Sequence, residues 1–403
     1  MCRKMARDDL PSWVTLLPLR AHRTHASQGV RTIMAHDKSL VPDHIASIKP
    51  YVPGKPIEEL ERELGITNSI KLASNENPLG PSPRAMEAIR AHVQDVHFYP
   101  DGAAYRLKEA CADYVGAKFE EVAIGNGSNE LLTLIARTFC MPGDHAVISD
   151  YSFIAYRIIM QAEGMTWTST PMKGDFQIDV DAMLEAIEPG RTRLLFIANP
   201  NNPTGTYIPR EDLERILTTT PEDVVVVIDE AYHEYVQASD YVSAVELRHL
   251  RENLIITRTF SKAFGLGGMR VGFAVAPAHL IDYINRVREP FNCNLLGQVA
   301  ATAALQDMAF ISESVKVNEE GRAVVERGLA SLGEGVRHTP SQTNFLLIHT
   351  GRPAGPLYDS MLRKGVIVRP MAGYGLAESL RVTLGTAAQC ERFLTAFGDA
   401  LSR

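Results

Sequence analysis

Two polar side chains stand at the ends of apolar runs, where they could take part in chemistry. Lys262 follows residues 259–261 and precedes mainly apolar residues. Desolvation lowers the pKa of an amine and makes it a nucleophile toward carbonyl carbon, although a lone lysine more often reaches solvent. Asp229 ends the apolar run 224–228, where a carboxylate must be paired, bound to a metal or active. Because segment 233–237 lacks the second histidine of H-E-x-x-H, we predict no metal and favour a carboxylate that faces a protonated pyridine nitrogen.

Two further segments could bind a phosphate. The glycine-rich segment 125–130 follows a predicted strand and opens a predicted helix, whose free N–H groups and dipole favour an anion. Simple helix capping would explain these glycines equally well. Ser261 precedes the lysine and Arg270 lies eight residues after it, so both could hold a phosphate dianion. Glu130 and Arg270 occupy the third-glycine place in the two glycine-rich runs, and the chain has no Walker pattern, so dinucleotides, ATP and GTP are disfavoured.

Continuous apolar runs predict the elements that position these residues. The runs are 122–124, 194–197, 224–228, 254–256 and 271–275. Uninterrupted apolar residues indicate a sheet buried on both faces, and helices between most of the runs make it largely parallel. The predicted fold class is therefore α/β. Because ligands bind beyond the carboxyl ends of strands in such sheets, the polar segments that follow the runs should form one site. Those segments are 125–130, 199–205, 229–232 and 259–262.

The chain changes character after about Gly297. A long helical pattern from Ile311 to Leu332 precedes short apolar runs at 344–348, 366–368 and 380–384, which predicts a smaller α+β domain. A length of 403 residues also favours two domains over one.

Composition and charge exclude several classes of partner. The net charge is −7 and no basic block occurs, so nucleic acid and anionic membranes are poor partners. No run approaches 18 apolar residues, and the five cysteines are scattered, which is typical of reduced thiols in a cytoplasmic protein. Residues 1–33 are predicted to be a disordered extension, because their apolar run is short and interrupted by proline; a transit peptide is the less favoured alternative.

Three motifs in a fixed order resemble one family. Asn199-Pro200-Asn201-Asn202-Pro203-Thr204-Gly205, Asp229-Glu230-Ala231-Tyr232 and Ser261-Lys262 resemble the fold-type-I aminotransferases of class I/II, which use pyridoxal-5′-phosphate (PLP). The ordered set is far more selective than any single member. Segments 49–51, 74–78, 99–102 and 380–386 resemble the histidinol-phosphate aminotransferase branch, and this likeness covers most of Ser47 to Ser402. It implies a large PLP-binding domain with a mostly parallel sheet at 80–296. It also implies an N-terminal arm with part of the small domain at 34–79, and a small C-terminal domain at 297–403.

The resemblance implies roles for the residues around the cofactor. Lys262 would carry PLP and move a proton between the substrate and the cofactor, Asp229 would pair with the ring nitrogen, and Tyr232 would complete the catalytic set. The other implied cofactor contacts are Asn202 at the ring 3-oxygen together with Tyr232, Phe153 stacked on the ring, and Ser128, Asn129, Ser261 and Arg270 at the phosphate. Tyr99 would reach the phosphate from a second subunit, which implies a homodimer.

The resemblance also implies a site for the substrate. Arg381 would bind the substrate anion, and a planar guanidinium suits either a carboxylate or a phosphate. Arg369 and Tyr51 would add phosphate contacts and Asn75 a further substrate contact; a purely structural role is the less favoured alternative for Arg369 and Tyr51.

These expectations favour one function over three others. The leading hypothesis is amino transfer from L-histidinol phosphate to 2-oxoglutarate in histidine biosynthesis, with small molecules as the only partners besides the second subunit. The nearest alternative is a phenylalanine or tyrosine aminotransferase, which shares the same motifs. A PLP lyase of the phosphothreonine decarboxylase type would use the same lysine and aspartate without a 2-oxo acid. A PLP-sensing transcription regulator is disfavoured, since 33 irregular residues are too few for a DNA-binding module.

Overall fold

The computed structural model describes residues 40–333 and 335–402, and the extension predicted at residues 1–33 lies outside them. The α-helices are α1 (Asp43–Ala46), α2 (Ile57–Leu64), α3 (Pro83–His92), α4 (Tyr105–Val115), α5 (Ser128–Phe139), α6 (Ile154–Ala162), α7 (Val180–Glu185), α8 (Arg210–Thr219), α9 (Ala278–Val287), α10 (Leu295–Leu305), α11 (Met308–Ala330), α12 (Ala354–Leu362) and α13 (Ala387–Leu401). The strands are β1 (Ile70–Lys71), β2 (Val122–Gly125), β3 (His145–Ser149), β4 (Thr166–Thr170), β5 (Met172–Lys173), β6 (Gln177–Ile178), β7 (Thr192–Ala198), β8 (Val225–Asp229), β9 (Leu254–Thr259), β10 (Gly272–Val275), β11 (Arg337–His338), β12 (Phe345–His349), β13 (Val366–Ile367), β14 (Arg369–Pro370) and β15 (Ser379–Thr383).

A seven-stranded sheet forms the centre of the molecule, in the order β2-β10-β9-β8-β7-β3-β4. Every pair from β9 to β4 is parallel, whereas β10 runs antiparallel to both of its neighbours. The apolar runs do not encode this reversal. It arises because β10 follows β9 without the crossover helix that a parallel return requires. The sheet is otherwise the largely parallel one that the sequence predicts.

Helices cover both faces of this sheet, which explains the uninterrupted apolar strands. In β7, Leu194 and Phe196 pack with α5, α6 and α9, whereas Leu195 and Ile197 pack with α7 and α8. Successive strand side chains point to opposite faces, so both sets must be apolar to be buried.

A second, four-stranded antiparallel sheet has the order β11-β12-β15-β14, and α11, α12 and α13 pack on it. The predicted helix at 311–332 is α11, which begins three residues earlier and ends two earlier. Near the start of the described chain, β1 pairs with β13 in parallel. Residues 43–403 group as one unit by their contacts, so the domain boundaries at 80 and 297 stay a prediction.

A buried ion pair joins Glu230, the residue that follows β8, to Arg258 on β9. Arg258 donates through Nε and Nη2 to Oε2 of Glu230 at 3.0 and 2.8 Å, and Ser243 Oγ donates to the same oxygen at 2.8 Å. The side chains of Arg258 and Glu230 are 5% and 0% exposed. This geometry gives Glu230 a structural role in the central sheet.

Removing one partner of this pair should destabilise the protein strongly. Arg258→Met should lower the free energy of unfolding by about 3–5 kcal/mol, because it leaves the Glu230 carboxylate buried without a countercharge. The control is Arg286→Met, which breaks the exposed pair with Asp282 and should cost less than about 1 kcal/mol. Denaturant unfolding measures both variants. Equal costs would contradict a structural role for the buried pair.

Candidate active site

A cavity of about 510 Å³ opens at the carboxyl edge of the central sheet. The ends of β8 and β9, the start of α5, the loop after β7 and strand β15 all contribute to its wall. All the predicted site residues except Tyr99 and Arg369 line it. They are Tyr51, Asn75, Ser128, Asn129, Phe153, Asn202, Asp229, Tyr232, Ser261, Lys262, Arg270 and Arg381. The structure thus brings together residues that are up to 330 positions apart in the sequence.

Asp229 lines the cavity and is 4% exposed. Tyr156 Oη donates to its Oδ2 at 3.0 Å, and Thr257 Oγ1 donates to its Oδ1 at 3.1 Å. Desolvation raises the pKa of this carboxyl to about 6 despite these bonds. Within residues 40–333 and 335–402 no lysine, arginine or histidine forms a salt bridge with it. The site therefore favours a ligand that brings its own cation.

Lys262 is partly buried and faces the same cavity. Its Nζ donates to the carbonyl oxygen of Ser74 at 3.2 Å and lies 5.7 Å from the ring centroid of Tyr232. Desolvation, followed by the positive charge of Arg381, lowers the pKa of this amine to about 8. At pH 7 roughly a tenth of the amine is then unprotonated, far more than for an ordinary lysine, and this is the form that attacks a carbonyl carbon.

One part of the cavity wall offers donors for an anion. Helix α5 begins at Ser128 after Gly127, and no side chain caps its first turn, so its free N–H groups face the site beside Asn129. Arg270 Nη1 donates to Ser261 Oγ at 3.3 Å. A Cβ at Gly127 would lie 2.4 Å from Arg270 Nη2, so only glycine allows the arginine this close to the helix start.

Phe153 and an apolar wall close one side. Phe153 lines the cavity at the start of α6 and meets the ring of Tyr156 edge-on, with centroids 5.7 Å apart. Tyr156 is fully buried and stacks on Phe196, so Phe153 rather than Tyr156 is placed to contact a ligand ring. Ile154 and Ile158 extend the same apolar surface.

Arg381, from β15, reaches the cavity from the second sheet. Its Nη1 donates to Asn202 Oδ1 at 2.6 Å and its Nη2 to the carbonyl oxygen of Ala73 at 2.8 Å. Its Nε is buried and has no partner, and the guanidinium lies 5.3 Å from the ring centroid of Phe345. A buried arginine with an unpaired N–H donor is expected where an anionic ligand binds.

Two predicted residues stand outside the cavity. Arg369 lies over the ring of Tyr51 at 5.3 Å and donates through Nη2 to the carbonyl oxygen of Val52 at 2.8 Å. It thus holds the segment that carries Tyr51. Tyr99 is 81% exposed and stacks on the exposed ring of Phe291, with centroids 4.7 Å apart.

Sequence reasoning missed several residues that complete the site. Thr257 lies inside a buried strand and reads as core, yet it pairs in register with Asp229 and binds its carboxylate. The carbonyl of Ser74 binds Lys262, and no side-chain pattern could signal a backbone contact. Tyr374 accepts a hydrogen bond from the N–H of Ile154 at 3.2 Å and so links the segment after β14 to the cavity-lining start of α6.

Comparison with known proteins identifies the family. The sequence matches aminotransferase class I and II over residues 67–397. The chain belongs to this family. The aminotransferase is 48% identical to the histidinol-phosphate aminotransferase of Anaeromyxobacter sp. (strain Fw109-5), across 90% of this chain and 99% of that relative. It is 47% identical to the histidinol-phosphate aminotransferase of Moorella thermoacetica, across 89% of this chain and 92% of that relative.

A solved structure extends the comparison to the fold. The histidinol-phosphate aminotransferase of Sinorhizobium meliloti, solved in complex with pyridoxal-5′-phosphate, matches with a TM-score of 0.82 and 27% identity, over 91% of this chain and 99% of that one. The predicted α/β fold of the fold-type-I aminotransferases and the predicted aminotransferase class are therefore confirmed. No described helix of the aminotransferase is long and apolar enough to cross a membrane, and the described residues hold no group of three or more potential metal ligands.

The raised pKa of Asp229 gives a testable dependence of stability on pH. In the cofactor-free aminotransferase the folded pKa of about 6 exceeds the ordinary value of 3.8, so ionising this carboxyl destabilises the folded state. Asp229→Asn should therefore be more stable than the parent protein at neutral pH, by up to about 3 kcal/mol. The difference should shrink as the pH falls through 6 and vanish near 4.

Thermal unfolding of the cofactor-free proteins across this pH range measures the effect. Asp282→Asn, at an exposed position, is the control and should change stability little at any pH. A difference between Asp229→Asn and the parent protein that does not vary with pH would contradict the assignment.

Proposed function

We propose that this protein transfers the amino group of L-histidinol phosphate to 2-oxoglutarate, giving imidazole acetol phosphate and L-glutamate, with PLP as cofactor. The observation that carries the proposal is the buried Arg381, whose Nε has no partner, in a cavity that already offers a separate anion site at Arg270. One anion site suits the phosphate of the cofactor, and the other suits the anionic end of the substrate. The two relatives compared above are histidinol-phosphate aminotransferases, which agrees with this substrate.

The residues that line the cavity fit both the phosphate end and the ring end of PLP. The uncapped start of α5 with Ser128, Asn129, Ser261 and Arg270 offers N–H, hydroxyl and guanidinium donors for the phosphate. Asp229 offers a carboxylate without a cation for a protonated ring nitrogen. When bound, PLP supplies an electron sink that stabilises negative charge at the substrate Cα. In this proposal Asp229 keeps the ring nitrogen protonated, and Phe153 packs against the ring.

Lys262 would act first as the nucleophile that holds the cofactor and then as the base that moves the substrate proton. Its pKa of about 8 suits both tasks, because an amine that titrates near the working pH can accept and return a proton. The carbonyl of Ser74 restrains Nζ within the cavity. Tyr232 lies beside it and would bind the ring 3-oxygen together with Asn202.

The substrate would occupy the space between Arg381 and the apolar wall. A guanidinium fork accepts the carboxylate of glutamate and the phosphate of histidinol phosphate, so one arginine can serve both half-reactions. Tyr51 lines the cavity and Arg369 lies over its ring. With substrate bound, the Arg369 guanidinium would turn to the phosphate monoester, so both residues would give it extra donors. Phe153, Ile154 and Ile158 offer an apolar surface for the imidazole ring. An aromatic amino acid would suit this surface too, so phenylalanine is the second candidate amino donor.

A homodimer is part of the proposal. Tyr99 is exposed, and Phe98, Tyr105 and Phe291 near it are 64%, 53% and 45% exposed. A group of exposed aromatic side chains is typical of protein–protein interfaces. A second subunit packed here would bury them and could bring its Tyr99 to the cofactor phosphate.

We propose a cytoplasmic location because of the state of the cysteines. The described thiols, at Cys111, Cys140, Cys293 and Cys390, are all unpaired, as expected for a protein in a reducing compartment.

Substitution of the two arginines tests the substrate. Arg381→Ala should lower kcat/KM for histidinol phosphate and glutamate alike, because both use the shared anchor. Arg369→Ala should lower kcat/KM for histidinol phosphate by about ten- to a hundredfold, the loss expected for one charge-assisted contact, and that for glutamate less. Steady-state assays with histidinol phosphate, phenylalanine and glutamate measure this. Phenylalanine outperforming histidinol phosphate in the parent protein would replace the proposed substrate, and equal losses on Arg369→Ala would remove its phosphate role.

Mixed dimers test the shared site. Chains with Lys262→Ala should be inactive and chains with Tyr99→Phe impaired. If Tyr99 acts across the interface, a mixed dimer has one site with both changes and one site with neither. Activity after subunit exchange should then exceed the weighted sum of the two parents. Activity equal to that sum would show that Tyr99 does not act in the partner's site.

A further inference from the structure

The hydroxyl of Tyr232 is bound by two amide side chains. Asn75 Nδ2 donates to Tyr232 Oη at 2.8 Å, and Asn202 Nδ2 donates to the same oxygen at 3.3 Å. Asn75, Asn202 and Tyr232 are 1%, 7% and 4% exposed, so water cannot readily replace either bond. The direction of each bond depends on how each amide is oriented, and the neighbouring residues decide this.

Thr383 decides the orientation of Asn75. Its Oγ1 accepts a hydrogen bond from the backbone N–H of Asn75 at 2.9 Å, and donates its single proton to Asn75 Oδ1 at 3.1 Å. With the amide reversed, this proton would have no acceptor among the described residues, so the carbonyl end of the amide faces Thr383 and the NH₂ end faces Tyr232. Asn344 Nδ2 donates to the backbone oxygen of Asn75 at 3.0 Å and fixes the loop from another side.

Arg381 decides the orientation of Asn202 in the same way. Its guanidinium can only donate, so the group that it contacts at 2.6 Å must be the amide oxygen of Asn202. The NH₂ group of Asn202 then faces Tyr232. Arg381 and Thr383 are two residues apart on β15, so one strand of the second sheet controls both amides.

Tyr232 Oη thus accepts two hydrogen bonds and has only its proton left to offer. Tyr232 lines the cavity, and no acceptor for this proton is found among residues 40–333 and 335–402. We propose that Asn75 and Thr383 are positioning residues, which hold Tyr232 so that its hydroxyl donates into the cavity. The proposal rests on the proposed function in one respect, since the acceptor would be the ring oxygen of the cofactor.

This role differs from the substrate contact that the resemblance implies for Asn75. Its oxygen binds Thr383 and one N–H of its amide binds Tyr232, so the hydrogen bonds of its side chain lead to Tyr232. A hydroxyl that accepts bonds from amide N–H groups is polarised and becomes a stronger donor. Weakening this support should make Tyr232 a poorer donor to the ring oxygen. The pH at which the bound cofactor loses its titratable proton would then rise.

The test is the pH titration of the visible absorbance of the PLP-loaded protein. Thr383→Val has nearly the same shape but cannot orient Asn75, and it should shift the midpoint upward by about 0.4–1 pH unit, the effect of one neutral hydrogen bond. Thr383→Ser keeps the hydroxyl and should restore the midpoint. The charged groups at the cavity, Lys262, Asp229, Arg270 and Arg381, are the same in every variant, so they cannot cause the shift.

A double variant and a control variant test whether Thr383 acts through the hydroxyl of Tyr232. In a Tyr232→Phe background, Thr383→Val should cause no further shift, because the hydroxyl through which it acts is absent. Thr350→Val, at a buried threonine that bonds the carbonyl of Glu378, should leave the midpoint unchanged. An unshifted midpoint in Thr383→Val, or an equal shift in both backgrounds, would overturn the proposal.

The results that would contradict the proposed function differ from those that would contradict this inference. A parent protein that shows no visible cofactor band, or that does not use histidinol phosphate, would fail the proposed function. A normal parent band with an unshifted Thr383→Val would fail only the inference on Asn75 and Thr383.

Discussion

The carboxylate of Asp229 is held at the end of a buried strand by two hydroxyl groups, and no basic side chain of the described chain forms a salt bridge with it. Burial disfavours its charge, which is why its pKa rises to about 6. The pairing of β8 with β9 holds this carboxylate in position. Thr257 faces Asp229 across the β8–β9 register, and the Glu230–Arg258 pair ties the same two strands together one residue later. A ligand with a ring cation would relieve the cost of the buried charge and be held by it.

The second sheet completes the site because β15 reaches across to the first. Arg381 and Thr383 lie on this strand, and each fixes one of the two amides that bind Tyr232. The residue that would bind the substrate anion is therefore part of the same hydrogen-bond network as the residue beside the cofactor ring. Any shift of β15 relative to the central sheet must disturb both, so packing between the two sheets has direct consequences for the chemistry.

Local sequence patterns were sufficient to predict one part of this site and insufficient for the other. Lys262, Asp229 and the start of α5 stand at the ends of apolar runs, and the carboxyl ends of parallel strands meet at one edge, so their proximity could be predicted. The bond between Thr257 and Asp229 depends on strand register, and the bond between Asn75 and Thr383 joins residues 308 positions apart. Neither has a local signal. The reversal of β10 also escaped prediction, because an apolar run has no direction.

The central claim is that the cavity binds PLP with its ring nitrogen protonated against Asp229. The most direct measurement is the ¹⁵N chemical shift of PLP labelled at the ring nitrogen and bound to the protein at neutral pH. The account predicts the shift of a protonated pyridine in the parent protein and that of an unprotonated pyridine in Asp229→Asn. An unprotonated ring nitrogen in the parent protein, or the same shift in both proteins, would contradict it.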